Sequence, residues 1–134
     1  MDVDALTPIF RRRRVRFAYL WGSRAAGRDR ADSDYDFAVG FRPGRNRGRD
    51  HTLLWRDLVL KLGTDAIDLV DLDEAGVTVR YTVQRKGRLV FESDPAARIA
   101  FAGRARREGW DEARRWSRQA RALMRRLKDG TFGR

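Results

Sequence analysis

Alternating helical and extended segments predict an α/β (α+β) fold, a small mixed β-sheet flanked by helices. Three observations carry that expectation. Val15 to Trp21 is an apolar and aromatic run that reads as a buried strand, and Ala66 to Leu72 is a second such run. Between them, Leu53, Leu54, Leu58, Val59 and Leu62 recur at helical spacing, and Gly63 closes that helix. Asp34 to Val39 alternates, placing Asp34 and Asp36 on one strand face and Tyr35, Phe37 and Val39 on the other.

The remaining elements follow from local signals. Thr7-Pro8 predicts a helix start, with Thr7 as N-cap and Pro8 at the first helical position, over residues 8–13. Residues 24–32 read as a turn or one short helical turn, and residues 40–50 as a loop rich in Gly, Pro, Asn and Arg. Residues 74–86 fit two patterns. Their β-branched residues suggest a strand, whereas Val77, Tyr81 and Gln84 mark a helix face. Gly87 precedes a short strand, Arg88 to Glu92. Ser93-Asp94-Pro95 opens a helical region at about residues 95–128, with Gly109 as a candidate interruption. At 134 residues the chain is expected to form one domain spanning 1–134.

Composition excludes several classes of chemistry. Without cysteine there is no disulfide framework and no thiolate site, and one histidine, His51, cannot build a histidine-rich zinc centre. Four Trp, seven Phe and three Tyr argue against a disordered chain. No run approaches the ~20 apolar residues of a membrane span. The acidic start Met1-Asp2-Val3-Asp4 lacks a signal pattern, so a soluble cytoplasmic protein is expected. The formal net charge is +11, and the excess lies toward the two ends of the chain. Arg supplies 27 of the 30 basic residues. A solvated Arg-rich surface accounts for most of this, although an anionic partner or nucleotide would feel the field.

The chemistry concentrates in Trp21 to Val39. A strand delivers Gly22-Ser23 into a turn, ten residues follow, and Asp34-Tyr35-Asp36 opens the next strand. The i, i+2 spacing points both carboxylates to one face, where they repel unless a cation sits between them. Mg²⁺ takes oxygen ligands and commonly combines carboxylates with substrate phosphates. Gly22 allows close backbone approach to a phosphate, and Ser23 offers a hydroxyl and an N–H. A third carboxylate would complete a two-metal cluster. Asp68, embedded in Ile67-Asp68-Leu69-Val70, is the best candidate, because an isolated carboxylate in a buried strand is costly. Asp71 is second and Asp65 weaker.

Gly-Ser, ten residues and Asp-x-Asp, followed by a helix and a strand with an embedded Asp, resembles the polymerase β-like nucleotidyltransferase superfamily. Gly22-Ser23-Arg24-Ala25, Gly27 and Asp32-Ser33-Asp34-Tyr35-Asp36 are similar to its minimal nucleotidyltransferase (MNT) branch. The likeness extends through Ile67 to Leu72, Arg80-Tyr81 and Gly87 to Glu92, covering roughly residues 15–94. It implies a polymerase β-like nucleotidyltransferase fold and transfer of a nucleotidyl group, AMP from ATP, to a hydroxyl. By the same resemblance Asp34 and Asp36 hold two Mg²⁺ ions and Asp68 completes the site of the ion that activates the acceptor. Gly22 and Ser23 cradle the β/γ phosphates, and Arg24 is a candidate phosphate contact. Members of this branch commonly act as antitoxins that attach AMP to a tyrosine of a HEPN toxin.

Other functions remain in view. A small-molecule nucleotidyltransferase of the aminoglycoside type usually carries a further acceptor domain, for which this chain has little length. A non-catalytic toxin-binding antitoxin would have no use for three carboxylates. Nucleic acid is disfavoured as a partner, because no stacking-aromatic motif accompanies the Arg-rich ends. His51, at a predicted helix start, is expected as a capping or surface residue rather than a general base. Trp110, Ala113, Trp116, Ala120, Leu123 and Leu127 form a helical stripe. Packing on the domain's own sheet is the simpler expectation for it, and a protein-docking face is the alternative. Homo- and hetero-oligomers are both open.

Overall fold

The computed structural model describes residues 2–22 and 34–129. The expected turn at residues 24–32, with Ser23, Arg24, Gly27, Asp32 and Ser33, lies outside the described residues. A 3-10 turn, Val3–Leu6, runs straight into α1 (Thr7–Arg12). Thr7 is therefore the first helical residue rather than the N-cap. Asp2 caps the preceding turn instead, its carboxylate accepting from the Asp4 N–H at 3.1 Å, and the Thr7 N–H donates to the Asp4 carbonyl.

β1 (Val15–Trp21), β2 (Tyr35–Phe41), α2 (Arg47–Leu62), β3 (Ile67–Asp71), α3 (Val77–Lys86), β4 (Arg88–Glu92) and α4 (Pro95–Lys128) follow. The described strands form one sheet in the order β3-β2-β1-β4. β1 is antiparallel to β2 and β4, and β2 is parallel to β3, so the sheet is mixed as expected. Parallel neighbours need a crossover, and α2 supplies it. Gly63 ends α2 at φ +70°, a left-handed conformation that costs glycine nothing.

Alternation along the strands gives the sheet two apolar faces. On one, Phe37 and Val39 pack with Leu6 and Phe10 from the N-terminal turn and α1 and with Leu54 and Leu58 of α2. On the other, Phe17, Tyr19, Ala38, Leu72 and Val83 pack with Phe101 of α4. Asp57 of α2 is the one buried charged side chain among the described residues, held by Arg13 at 2.7 Å and by Arg12 and Arg56 at 3.3 Å each.

Residues 77–86 resolve as a helix. Val79 and Val83, four apart, both dock on the second face, and that burial outweighs the β preference of the branched residues. α4 runs unbroken through Gly109, contrary to the expected interruption. Gly109 is buried, and a Cβ there would overlap the Tyr81 ring, so this glycine lets α4 pass close over α3. Past this point the helix leaves the core. Trp110 is 63% exposed and Trp116 64%, and Leu123 and Leu127 are exposed as well. The stripe does not pack on its own sheet. No described helix is long and apolar enough to cross a membrane.

Candidate active site

β1 and β2 are neighbours, and their register places Trp21 opposite Asp36. β2 and β3 are also neighbours, and there Asp36 stands opposite Asp68. Directly opposed residues in adjacent strands share a face, and Asp36 alternates with Ala38 while Asp68 alternates with Val70 and Leu72. The three side chains therefore sit on the face covered by α3 and α4, toward the C-terminal ends of β1's run and the start of β2 and β3. Asp34 precedes β2 by one residue and is exposed.

The electrostatics of Asp36 report this crowding. Burial pushes its carboxyl above the ordinary Asp range, and the charges of Asp68 and then Asp34 push it further the same way. Among the described residues no cation pairs with any of the three, in a chain where Arg is abundant. Gly22 lies against this group. Its φ is +77°, and a Cβ on it would overlap the Asp36 carboxylate. The glycine is thus required twice, by backbone conformation and by space.

Asp71 is elsewhere. Its odd step from Asp68 turns it to the opposite face, where Arg47 of α2 donates to its carboxylate at 2.9 Å. His51 is also on that side, inside α2. Its ring N–H donates to the Leu69 carbonyl at 2.7 Å and ties α2 to β3, so it is a structural residue. Ser23 and Arg24 are outside the described residues.

Among the described residues no three His, Asp or Glu side chains are arranged as a finished ligand shell. The donor set nevertheless fits a hard divalent ion. Three oxygen-bearing carboxylates repel one another without a counter-charge, and Mg²⁺ prefers a few carboxylates completed by water and phosphate. Trp21 was not singled out from the sequence as a site residue. It stands beside Asp36, and its indole Nε1 is buried without a hydrogen-bond partner. Its position immediately before Gly22-Ser23 was the available signal.

The profile of the family described as "Polymerase beta, Nucleotidyltransferase" matches residues 4–96. The chain belongs to this nucleotidyltransferase family. The match spans β1 through β4, the part of the nucleotidyltransferase domain that holds Gly22, Asp34, Asp36 and Asp68. No curated protein sequence is a detectable relative. Solved structures share the fold at low identity. A structure of a toxin-antitoxin with AMP-PNP has a TM-score of 0.71 at 20% identity, over 96% of this chain and 99% of that one. The tri-AMPylated Shewanella oneidensis HEPN toxin in complex with its MNT antitoxin gives 0.63 at 19%, over 94% and 95%. The toxin-antitoxin MntA-HepT gives 0.62 at 19%, over 94% and 96%.

Proposed function

We propose that this nucleotidyltransferase moves AMP from ATP onto a hydroxyl of a HEPN-type toxin, a tyrosine, and so serves as its antitoxin in the cytoplasm. The observation that carries the reading is the opposition of Asp36 and Asp68 in the β2–β3 register, with Asp34 two residues before Asp36 and no described cation between them. The fold's likeness to chains from structures with AMP-PNP and with an AMPylated HEPN toxin supports the choice of donor and acceptor.

Asp34, Asp36 and Asp68 would hold Mg²⁺, two ions by the family pattern. When bound, the metal supplies charge neutralisation on the triphosphate and on the attacking oxygen. The chain's own groups do the rest. Gly22 keeps the turn after β1 against Asp36 without a side chain in the way. Ser23 and Arg24 follow it and are assigned to the β/γ phosphates. Trp21 stands beside Asp36 and limits water on that flank, which strengthens the charge interactions of Asp36. The acceptor hydroxyl gives its proton to water as its oxygen bonds to the α-phosphorus, and pyrophosphate leaves with the electron pair of the broken P–O bond.

The partner needs a surface, and the exposed half of α4 offers one. At ~100° per residue, Trp110, Ala113, Trp116, Ala120, Leu123 and Leu127 fall within an arc of about 140°, flanked by Arg. The Trp116 indole N–H donates to Glu112 at 3.1 Å, which holds the ring in place before any partner arrives.

The test is intact-mass analysis of the purified toxin after incubation with this protein, ATP and Mg²⁺. The expected result is addition of AMP to the toxin, lost with chelator and lost in Asp36→Asn. A tight complex with no mass change would replace this reading with a binding antitoxin. Transfer to an aminoglycoside and not to the toxin would replace it with a small-molecule enzyme.

A further inference from the structure

A cavity of about 190 Å³ lies between β1, α3 and α4. It is lined by Arg16, Arg80 and Arg104, one from each of these elements, over an apolar floor that includes Phe17 and Phe101. Asp73 also lines it, with its side chain 45% exposed and its carboxylate 3.8 Å from Arg47. Arg16 and Trp21 are five residues apart on β1, so at ~3.4 Å per residue the cavity opens about 17 Å along the strand from the carboxylate cluster. It is a separate site.

The strand is built irregularly here. Val15 pairs with Phe41 and Phe17 with Gly40, which leaves Arg16 as the extra residue of a β-bulge. Strict alternation would send Arg16 and Phe17 to opposite faces. The bulge lets both line the α3–α4 side, and bulges commonly re-aim a side chain in this way.

The guanidinium groups are short of partners. Neither Arg16 nor Arg104 has a side-chain hydrogen bond or ion pair among the described residues. Arg80 bonds Glu108 and the Ala75 carbonyl, yet its Nε is buried with no partner, as is the Nε of Arg16. Arg80 is answered in part by Glu108, but the buried Nε atoms of Arg16 and Arg80 are not, and buried unpaired donors are expected to have an occupant that answers them. The planar guanidinium fork matches the oxygens of phosphate. The volume falls below the ~300 Å³ at which pockets begin to take drug-sized ligands, so it admits an oxyanion but not a base and sugar.

We propose that this cavity binds a phosphate group, either free phosphate or the phosphate end of a nucleotide left outside the cavity, and that the bound anion clamps α3 and α4 to β1. The inference does not depend on the toxin as acceptor or on metal at Asp36.

The experiment is a thermal-unfolding titration of the full chain with sodium phosphate, with chelator present and ionic strength held constant with chloride. AMP is titrated in a parallel arm. The expected result is a saturable rise in Tm with phosphate. Arg16→Gln and Arg104→Gln should each weaken the apparent affinity at least about tenfold, the scale of one lost hydrogen bond to a charged group. Arg104 is exposed, so that variant folds even if Arg16→Gln does not. Both variants should keep the wild-type increment in Tm that Mg²⁺ adds over ATP with chelator, since that increment belongs to the carboxylate cluster. A response to phosphate alone identifies the free anion, and a response to both phosphate and AMP identifies a nucleotide phosphate. Either dependence on the arginines supports the site. A Tm that does not saturate with phosphate or AMP, or a saturable rise unchanged in Arg104→Gln, overturns it.

Discussion

Asp36 and Asp68, 32 positions apart in the chain, stand directly opposite each other in the parallel register of β2 and β3. Two facing carboxylates with no counter-ion among the described residues work against the fold, since burial and mutual charge both raise the cost of ionising Asp36. On the proposed reading, this cost to stability is what a bound cation would offset.

Asp36→Asn should raise Tm in the presence of chelator, because one of the repelling charges is gone and the shape is kept. The same variant should lose nucleotide transfer by at least about a hundredfold. Differential scanning calorimetry and a labelled-ATP assay on one preparation read both effects. A fall in Tm without metal would mean that Asp36 has a partner that stabilises it.

Asp68→Ala and Asp71→Ala separate the two carboxylates of β3. Asp68→Ala should abolish transfer with little loss of stability, as Asp68 is exposed and has no ion pair among the described residues. Asp71→Ala should keep transfer and cost about 1 kcal/mol, since Arg47 retains Asp73 and Glu74. Urea unfolding and initial rates measured side by side decide the matter.

Gly22→Ala adds one methyl group where the Asp36 carboxylate already lies, at a φ of +77° that L-residues rarely adopt. The variant should still fold, because the strain is confined to the end of β1. It should lose the extra thermal stabilisation that Mg²⁺ and ATP give together over either alone. A thermal-shift matrix with metal, nucleotide and chelator shows whether that joint effect survives.

Asp57 governs acid stability. Burial alone would push its carboxyl up, but hydrogen bonds from Arg13, Arg12 and Arg56 outweigh burial and hold it below the ordinary Asp range. A depressed folded-state value means that the unfolded chain binds the proton more readily. The stabilisation is thus complete above the ordinary Asp value and is lost as pH falls through the lower folded one. Asp57→Ala should cost about 2 kcal/mol at neutral pH, below the ~3–5 of a fully buried pair because Arg12 and Arg56 reach water. That deficit should shrink toward zero in strong acid. Denaturant titrations at neutral and acidic pH measure the two limits.

Much of this protein is written locally. The runs at Val15–Trp21 and Ile67–Asp71 are strands because apolar and β-branched residues fill them, and α2 is a helix because its leucines repeat at 3–4 residues and Gly63 closes it. Asp34 and Asp36 share a face by the two-residue period of a strand, which needs no partner to be true. Asp68 could be picked for the same reason, as a charge set among apolar neighbours.

What the chain could not reveal depends on residues far apart in sequence. The parallel pairing of β2 with β3 is set by how α2 crosses over, and only that pairing brings Asp68 level with Asp36 rather than one step away. Residues 77–86 carried strand-like side chains, and the docking of Val79 and Val83 made them a helix. Gly109 reads as a break in the sequence, but the Tyr81 ring lies against it and the helix continues; the stripe beyond it reads as core, but its side chains are exposed on the far half of α4. The bulge that turns Arg16 toward Arg80 and Arg104 leaves no mark in the sequence at all. Period and propensity act over a few residues and are therefore legible there, whereas register, close approach and exposure are decided by which surfaces meet.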